Sequence, residues 1–383
     1  MEIVKGTSIL RERNKRTLIS HIRRLRETSR QELVKLMNVS KNTISLIVEE
    51  LIKDGIVVER GGEEEQQKGR PRIRIALHPD GYRAIGINVT PFEIQYQIIN
   101  YYGDVLEAQR VDTVGNQAEQ IVDQVDRIVA QLIEKHHRLI GIGIAIPGIV
   151  DAQNLQVVTS ISMQWSTVSF QKLARFAIPI HLQNSVNMGA LDAMDRQLFM
   201  ESEAAFYIRI GHGVGGAFTF KGQLIQGASF TAGEIGHLAI DPTKEKCSCG
   251  QIGCLEMLVK HQAIKQQLLA INESVIEQSE MIIFAQEQLE NERVQQVMSQ
   301  AGTNVGKALV SVIHLINPAY IVIDSSYNRS SAFVASCQAV MHAEAIPVTR
   351  KAATVLFDTT RSNLGKGAAL FAIYHYEQAH ELH

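Results

Sequence analysis

The sequence predicts an α/β protein made of a small N-terminal head and a larger body with two lobes and a cleft between them. The head, residues 1–78, shows helical periodicity followed by two short segments of alternating apolar residues. The body, residues 79–383, mixes short apolar strands with amphipathic helices throughout, which is typical of an α/β fold. A chain of 383 residues is also too long for one compact core, at about 150 residues per domain.

Composition indicates a globular protein without a membrane span. The chain is 45% hydrophobic and 20% charged, which is typical of folded domains. Its apolar runs are shorter than the roughly 18 residues that a membrane span needs, and its first residues lack the apolar segment of a secretion signal. Four cysteines, three of them close together, do not form a disulfide framework. We therefore expect a cytoplasmic protein that does not associate with a membrane.

The net charge of −2 hides an asymmetry between the head and the body. Residues 1–78 contain 17 Lys+Arg and 11 Asp+Glu, which leaves 21 basic and 29 acidic residues for the rest of the chain. A basic head on an acidic body indicates a polyanionic partner for the head alone.

The head has the pattern of a helix-turn-helix. Residues 9–26 predict a helix with one apolar stripe, formed by Leu18, Ile19, Ile22 and Leu25. Ser29 followed by Glu32 is a capping box that begins a second helix, and a turn at Asn38 leads to a third helix that ends at Gly55. The third helix begins with a polar turn, where a recognition helix meets bases and phosphates. The candidate DNA contacts in this turn are Ser40, Lys41, Asn42, Thr43 and Ser45.

A basic wing follows the three helices. IVVERGG and GRPRIRIAL predict two strands. Lys68 lies between the two segments, and Arg70 and Arg72 lie at the start of the second one. An extended Gly-Arg-Pro segment can place a guanidinium in a narrow minor groove. The alternative is a helical hairpin that packs on protein and carries a solvated basic loop. Because cap, turn, polar first turn and basic wing occur in this order, we favour binding to a double-stranded DNA operator.

The body contains five motifs in a fixed order: GIGIAIPGIVD, LQNSVNMGALDA, GHGVGGAF, AGEIGHLAID and CSCGQIGCLE. This order resembles the ROK family of repressors, open reading frames and sugar kinases. The head resembles the winged helix-turn-helix of that family's xylose, glucose-related and N-acetylglucosamine repressors. The resemblance covers nearly the whole chain and implies an actin-like, or ribonuclease-H-like, two-lobed body that binds a sugar in its cleft.

Three cysteines within CSCGQIGC predict a metal site. Cys247, Cys249 and Cys254 supply three thiolates, and His237 lies ten positions before the first of them. Three thiolates and one imidazole form a closed tetrahedral Zn²⁺ site of the structural kind. The alternative is a group of small buried hydrophobic side chains with free thiols. The spacing and the resemblance favour zinc.

The resemblance also implies the residues that hold a sugar. His237 would bind the metal through one ring nitrogen and the sugar through the other, while Glu234 and Glu256 would accept hydrogen bonds from sugar hydroxyls. Asn184 would bind a further hydroxyl, and Ser185 stands beside it in the same motif. Glu234 could instead be a helix cap, and Glu256 a surface charge.

Three departures from the family's kinase motifs predict that the protein is not an enzyme. Asn88 stands where the phosphate loop D-x-G-G-T begins, and Ser185 replaces the catalytic aspartate of E-N-D-A-N. Asp324 stands where family kinases have a glycine after the late strand, and we expect its charge to repel ATP phosphates.

These observations predict a sugar-responsive repressor of carbohydrate genes, such as those of xylose metabolism. We expect a homodimer or tetramer whose two heads bind a palindromic operator, with a hinge at residues 78–81. Because Ser185 replaces the aspartate of the kinases, four alternatives are open: weak binding of a sugar, an unusual sugar, a sugar phosphate, or a protein signal. One alternative is a functional sugar kinase with a DNA-binding head. The other is a regulator whose body binds a protein partner instead of a sugar.

Overall fold

The computed structural model describes residues 6–61, 73–115, 117–199, 203–242, 245–274, 276–278 and 281–378. These residues form the predicted head and an α/β body with two five-stranded sheets, one in each lobe. The predicted mixed helix and strand architecture is therefore confirmed. Among the described helices, none combines the length and the apolar composition that a membrane crossing requires.

The head consists of three helices and a small antiparallel sheet. Its elements are α1 (Gly6–Leu25), β1 (Glu27–Thr28), α2 (Arg30–Met37), α3 (Lys41–Lys53), β2 (Val57–Arg60) and β3 (Arg74–Leu77). The Ser29 hydroxyl accepts a hydrogen bond from the Glu32 amide at 3.2 Å, and the Glu32 carboxylate accepts one from the Ser29 amide at 2.9 Å. This reciprocal pair is the predicted capping box. Asn38 is left-handed, with φ of 52°, and makes the predicted turn before α3.

The apolar stripe of α1 is shorter than the sequence predicts. Leu18, Ile19 and Ile22 are fully buried, but Leu25 is 47% exposed. Leu25 is the last residue of α1, and the chain turns away at Arg26, which has a φ of 63°. The prediction that Leu25 joins the stripe is therefore wrong, because helical periodicity does not show where a helix leaves its core.

The two strands predicted after the helices are present, with one strand more than the sequence indicates. β2 and β3 pair antiparallel, from Val57 opposite Leu77 to Arg60 opposite Arg74. β1 adds to the other edge of β3 and has only two residues, too few for an alternating pattern to be visible. Lys68, Arg70 and Arg72 lie outside the described residues.

Lobe I is a five-stranded sheet with helices on both faces and a small extra sheet. Its elements are β4 (Arg83–Val89), β5 (Glu93–Asn100), β6 (Val105–Asp112), α4 (Ala118–Lys135), β7 (Leu139–Ile146), β8 (Ile149–Asp151), β9 (Gln156–Ser160), β10 (Trp165–Ser169), β11 (Ile180–Asn184) and α5 (Ser185–Asp195). The main sheet has the strand order β11-β7-β4-β5-β6. The parallel strands β4, β7 and β11 end at one edge, which carries Asn88 and Asn184.

Lobe II is a second five-stranded sheet with the order β14-β13-β12-β17-β18. Its elements are β12 (Ala205–Ile210), β13 (Val214–Phe220), β14 (Gln223–Ile225), α6 (Leu255–Val259), α7 (His261–Leu269), β15 (Ile276–Gln278), β16 (Met281–Ile283), α8 (Gln286–Glu290), α9 (Glu292–Ile316), β17 (Tyr320–Asp324), α10 (Ser331–Glu344), α11 (Pro347–Ala352) and β18 (Thr354–Asp358). A large apolar cluster, including Val305, Leu309 and Phe333, fills the space between this sheet and its helices.

The last described helix, α12 (Leu364–Gln378), returns from lobe II and packs on the sheet of lobe I. Glycines on the sheet make this close packing possible. A Cβ at Gly86 would lie 1.8 Å from the Gly365 carbonyl oxygen, and a Cβ at Gly143 would lie 1.8 Å from the Ala368 carbonyl oxygen. Any side chain at either position would therefore push α12 away from the sheet.

Candidate metal and ligand site

The predicted cysteine and histidine cluster comes together in lobe II. His237 ends a short 3-10 turn, and the segment of residues 245–254 folds back beside it through an isolated antiparallel bridge between Ala239 and Cys254. Gly253 allows this fold, because it has a φ of 72° and a Cβ there would lie 1.8 Å from the Asp241 carbonyl oxygen. The chain reversal places all four candidate ligands around one point.

The geometry of the four side chains fits a tetrahedral metal ion. The ligand atoms of His237, Cys247, Cys249 and Cys254 all lie within 4.8 Å of one another. Cys247 Sγ lies 3.6 Å from His237 Nδ1, and Cys249 Sγ lies 3.6 Å from Cys254 Sγ. Two sulfur ligands of a tetrahedral zinc ion, each at about 2.3 Å, are separated by about 3.8 Å. All four cysteines of the chain are free thiols, and Cys247 and Cys254 are buried.

The second ring nitrogen of His237 faces a carboxylate. His237 Nε2 lies 3.8 Å from Glu234 Oε2, while Nδ1 faces the cysteines. Burial raises the pKa of Glu234, the nearby His237 lowers it, and the charge of Glu256 raises it further, with a net upward shift. One imidazole therefore joins the cysteine cluster to a pair of acidic side chains.

Glu256 is the second carboxylate of this pair. It lies in the first turn of α6, two residues after Cys254, and its Oε2 accepts a hydrogen bond from the Val214 amide at 3.3 Å. This bond links α6 to the start of β13. Glu256 is therefore close in the chain to Cys254 and is hydrogen-bonded to the start of β13.

Asn184 has a structural role that the sequence does not reveal. Its Oδ1 accepts a hydrogen bond from the Val186 amide at 2.7 Å and caps α5. Its Nδ2 donates to the Gly148 carbonyl oxygen at 2.6 Å. Ser185 is the first residue of α5 and is only 7% exposed. Both polar groups of the Asn184 side chain are therefore engaged within lobe I.

Lobe II reaches this part of lobe I through glycines. A Cβ at Gly215 in β13 would lie 2.9 Å from Val186, which directly follows Ser185. The neighbouring Gly216 amide donates to the Gly233 carbonyl oxygen at 2.8 Å, and Gly233 directly precedes Glu234. The structure therefore brings the α5 start, β13 and the Glu234 segment into one neighbourhood, although these segments are far apart in the sequence.

The positions that correspond to the kinase phosphate loop lie at the end of β4 and in the turn that follows it. Asn88 is 3% exposed near the end of β4. In the turn that follows, Thr90 Oγ1 accepts a hydrogen bond from the Glu93 amide at 3.1 Å. Phe92, at the tip of this turn, contacts His212 of lobe II with ring centroids 5.9 Å apart. An aromatic contact between the lobes therefore occupies the turn where the sequence resemblance places a phosphate loop.

The expected role of Asp324 is wrong. Its side chain is fully buried rather than exposed to a nucleotide, and it pairs with Arg209 at 2.6 Å and with Arg361 at 3.1 Å. The Tyr207 hydroxyl also donates to it. Burial opposes ionisation, but the two guanidinium groups outweigh it and hold the pKa of Asp324 below its ordinary value. The charge of Asp324 is thus neutralised internally, so it does not act by repelling phosphates.

The first turn of α3 presents polar side chains to solvent. Ser40, Lys41 and Asn42 are exposed, and Thr43 and Ser45 are half-buried. Ser40 also caps α3, because its Oγ accepts a hydrogen bond from the Thr43 amide at 3.2 Å. Leu46, an apolar residue of the same helix, is 59% exposed. It lies one helical turn after Asn42 and extends the exposed surface of α3.

These features define a class of protein: a two-lobed α/β body of the actin-like kind that carries a small head of three helices and a three-stranded sheet, together with a His/Cys3 cluster. The chain belongs to the ROK family, whose model matches residues 84–372.

Curated relatives of this chain are transcriptional regulators. The chain is 24% identical over 344 residues to the xylose repressor of Caldicellulosiruptor bescii, covering 85% of each chain. It is 23% identical over 309 residues to the DNA-binding transcriptional dual regulator NagC of Escherichia coli, covering 77% of this chain and 76% of NagC. The sequence-based resemblance to xylose and N-acetylglucosamine repressors is confirmed.

Two solved structures share the fold. A ROK family transcriptional regulator, a homolog of the E. coli MLC protein, has a TM-score of 0.79 at 21% identity and covers 97% of this chain and 98% of its own. A ROK family glucokinase from Streptomyces griseus has a TM-score of 0.62 at 20% identity and covers 76% of this chain and 98% of its own. At these identities the likenesses establish the fold alone.

Proposed function

We propose that this protein is a DNA-binding transcriptional repressor of carbohydrate metabolism genes, and that its body senses a sugar or a sugar derivative. The observation that carries the proposal is the solvent-exposed polar first turn of α3 beside a three-stranded wing, in a chain whose curated relatives are repressors. Residues 1–78 act as the DNA-binding domain and residues 79–383 as the sensing domain.

The DNA contacts that we propose come from the first turn of α3 and from the wing. Lys41 and the hydroxyls of Ser40, Thr43 and Ser45 bind phosphates, and Asn42 contacts base edges in the major groove. Leu46 joins them through apolar contact with a thymine methyl group. The wing residues Lys68, Arg70 and Arg72 complete the basic surface of the head. The protein acts as a homodimer or tetramer on a palindromic operator.

We propose that His237, Cys247, Cys249 and Cys254 hold Zn²⁺. The donor set of three thiolates and one imidazole, all within 4.8 Å, fits a closed structural zinc site. Such an ion fixes the His237 ring through Nδ1 and ties the Glu234 segment to α6. The metal therefore orients ligand-binding groups and takes no part in chemistry.

The proposed effector site combines Glu234, His237 Nε2 and Glu256 with Ser185 at the start of α5. Two carboxylates and one imidazole nitrogen form hydrogen bonds with several hydroxyls of a carbohydrate. We assign Asn184 a supporting role, because its amide caps α5 and bonds Gly148. A hydroxyl at Ser185, in place of a carboxylate, leaves room for a sugar phosphate as well as a free sugar.

Phosphoryl transfer is not part of this proposal. Ser185 provides no general base for the attacking hydroxyl, and the turn that would cradle phosphates carries Thr90, Pro91 and Phe92 in place of the family's glycines and threonine. A coupled assay for ADP release with D-glucose, D-xylose and N-acetylglucosamine tests the kinase alternative. We expect no turnover above the no-sugar background, and sugar-dependent ADP release would establish an enzyme.

The experiment that tests the repressor function is a titration of the purified chain against DNA from upstream of its own gene, measured by fluorescence anisotropy. Binding to that DNA should be stronger than binding to a shuffled fragment of equal length by about 10³-fold or more. Equal affinity for the two fragments would contradict the proposal. Normal operator binding with no response to any sugar would favour a regulator that answers to a protein partner.

A further inference from the structure

The head is docked on lobe I through a shared apolar core. Leu18, Ile19 and Ile22 of α1 belong to one buried cluster with Leu370 and Ile373 of α12. The same cluster includes residues of α3 and of the lobe I sheet. The head and lobe I are therefore not separate bodies connected only by a linker.

A single carboxylate, that of Glu377 in α12, lies at the polar centre of this contact. Arg23 of α1 donates to it through Nε and one terminal nitrogen, both at 2.9 Å. The Tyr101 hydroxyl, from the turn after β5, donates to the same carboxylate at 3.1 Å. The Glu377 side chain is 8% exposed. This buried carboxylate has partners from both the head and lobe I, so it opposes separation of the head from lobe I. Separation would leave the carboxylate or its partners without hydrogen bonds, which is energetically costly.

Further hydrogen bonds join the other parts of the head to lobe I. Arg16 of α1 donates to the Tyr376 carbonyl oxygen at 3.0 Å. The Tyr102 hydroxyl donates to the Arg26 carbonyl oxygen at 3.0 Å, and Arg138 donates to the Gly55 carbonyl oxygen at 2.9 Å. These bonds attach the end of α1 and the end of α3 to lobe I, so the orientation of the recognition helix is fixed relative to that lobe.

The segment at residues 78–81 is also bonded on both sides. The His78 amide donates to the Ile56 carbonyl oxygen at 2.8 Å, and the Gly81 amide donates to the His78 carbonyl oxygen at 2.9 Å. The Arg83 amide then donates to the Arg138 carbonyl oxygen at 3.1 Å. The expected hinge at this segment is therefore replaced by a turn that continues the docked structure.

The N-terminal end of α12 lies in a hydrogen-bond network between the two lobes. Asn363 caps α12 through the Lys366 amide at 3.0 Å, and its side chain exchanges hydrogen bonds with Gln97 of β5 at 2.9 and 3.1 Å. The amide of the preceding residue, Ser362, donates to the buried Asp324 of lobe II at 3.2 Å. One helix thus runs from the junction of the two lobes to the docked head.

We propose that Glu377 is a positioning residue for DNA reading: with Arg23 and Tyr101 it locks the head to lobe I as one rigid body. α12 then connects the junction of the two lobes to the docked head, so a change in the arrangement of the lobes moves the recognition helix together with lobe I. The consequence for DNA reading depends on the proposed repressor function, whereas the lock itself does not.

Hydrogen–deuterium exchange on the full-length chain tests the lock without DNA or sugar. In the wild type, amides of α1 and of residues 78–83 should be protected to a similar degree as those of α12. Glu377→Gln keeps the shape of the side chain but leaves Arg23 without its charged partner. We expect exchange in α1 and residues 78–83 to rise together by at least about tenfold, the factor equivalent to about 1.4 kcal/mol, with lobe II unchanged.

Two further variants keep the test specific. Asp123→Asn removes a charge pair with Lys172 elsewhere on lobe I, and it should leave α1 exchange at the wild-type level. The exchanged pair Arg23→Glu with Glu377→Arg should recover part of the protection that each single change loses. Unprotected amides at residues 78–83 in the wild type would overturn the proposal. Amide exchange in α1 of Glu377→Gln at the wild-type rate would also overturn it.

A DNA readout separates positioning from simple stabilisation. On operators whose half-sites are moved apart by one to five base pairs, the wild type should bind one spacing with clear preference, since docked heads have a fixed separation. Glu377→Gln should bind the altered spacings nearly as well as the original one. A uniform loss of affinity at all spacings would show that Glu377 only stabilises the fold. If exchange changes but operator DNA is not bound at all, the lock stands and the repressor function fails.

Discussion

The Sγ atom of Cys247 lies 3.6 Å from Nδ1 of His237, and the same imidazole directs Nε2 at Glu234, 3.8 Å away. One side chain therefore belongs both to the cysteine cluster and to the acidic group proposed to bind a sugar. Loss of the metal should release the ring and weaken ligand binding, because the orientation of a ligand group depends on what holds its other nitrogen.

Removal of one metal ligand tests this dependence. Cys249→Ser should lower the bound metal from one ion per chain to a trace and reduce the free energy of unfolding by about 3 kcal/mol or more. Elemental analysis and urea unfolding measure the two effects. Ser248→Ala, at the position between two of the cysteines, is the matched control and should retain the metal. Wild-type protein that is purified without metal, and whose melting is insensitive to chelation, would contradict the metal site.

Glu256→Gln tests the ligand site separately from the metal. The amide oxygen of glutamine can still accept the hydrogen bond from the Val214 amide, so the fold and the metal content should remain as in the wild type. Loss of a charged acceptor should weaken sugar binding by about 1.5–3 kcal/mol. Isothermal calorimetry with the sugar that binds the wild type measures this change. Glu344→Gln, on the exposed end of α10, should bind that sugar normally. Equal affinity of both variants for the sugar would show that Glu256 is not part of the binding site.

Ser185→Asp tests whether the loss of kinase activity has more than one cause. The substitution restores the acid that family kinases have, but the turn of the phosphate loop still carries Thr90, Pro91 and Phe92 in place of the family's glycines and threonine. We expect no ADP release above background in a coupled assay with ATP and a sugar panel. Measurable turnover in this single variant would show that the base alone was missing.

Two residues of α3 should affect DNA binding in different ways. Lys41→Ala should weaken binding to all sequences and reduce the slope of log affinity against log salt by about 1, because it removes a phosphate contact. Asn42→Ala should cost about 1–3 kcal/mol on the operator and little on shuffled DNA, since it removes a base contact. Lys53→Ala, exposed at the other end of α3, is the control and should bind normally. Identical effects of Lys41→Ala and Asn42→Ala would argue against this assignment.

A half-buried histidine pair predicts an acid sensitivity of folding. His181 stacks on His375 with ring centroids 4.3 Å apart, and burial lowers the pKa of His181 to about 3. A histidine with a depressed pKa stabilises the fold fully above the ordinary value of about 6.5, and this contribution is lost as the pH falls toward 3.

His181→Phe should therefore flatten the decline of unfolding free energy between pH 6.5 and 4, by up to about 1.4 kcal/mol per pH unit. Urea unfolding at a series of pH values measures the slope. The exposed His137→Gln should keep the wild-type slope, and an unchanged slope in His181→Phe would show that this pair does not titrate on unfolding.

Much of the head and of the metal cluster could be predicted from the sequence because their signals are local. A capping box, a turn at Asn38 and a polar helix start each need only a few consecutive residues. The cluster needs one short segment and His237 ten residues before it. Periodicity also identified the strands that carry Asn88 and Asn184.

The rest depends on contacts between distant segments, which periodicity does not report. Asp324 is neutralised by Arg209, 115 residues before it, and by Arg361. Glu377 meets Arg23 across 354 residues. The motif around Asn184 predicts a ligand contact, but it does not show that the same amide bonds Gly148 and Val186. A hinge at residues 78–81 looked reasonable from its turn residues, but the docking of α1 on α12 was not visible.

The sugar-responsive repressor function is tested by the affinity of the full-length, metal-loaded chain for its own upstream DNA, measured by anisotropy with and without D-xylose, N-acetylglucosamine, D-glucose and their phosphates. At least one of these carbohydrates should change the affinity by about 5–150-fold, without any release of ADP when ATP is present. Unchanged affinity with every carbohydrate, together with ATP-dependent phosphorylation of one of them, would contradict it.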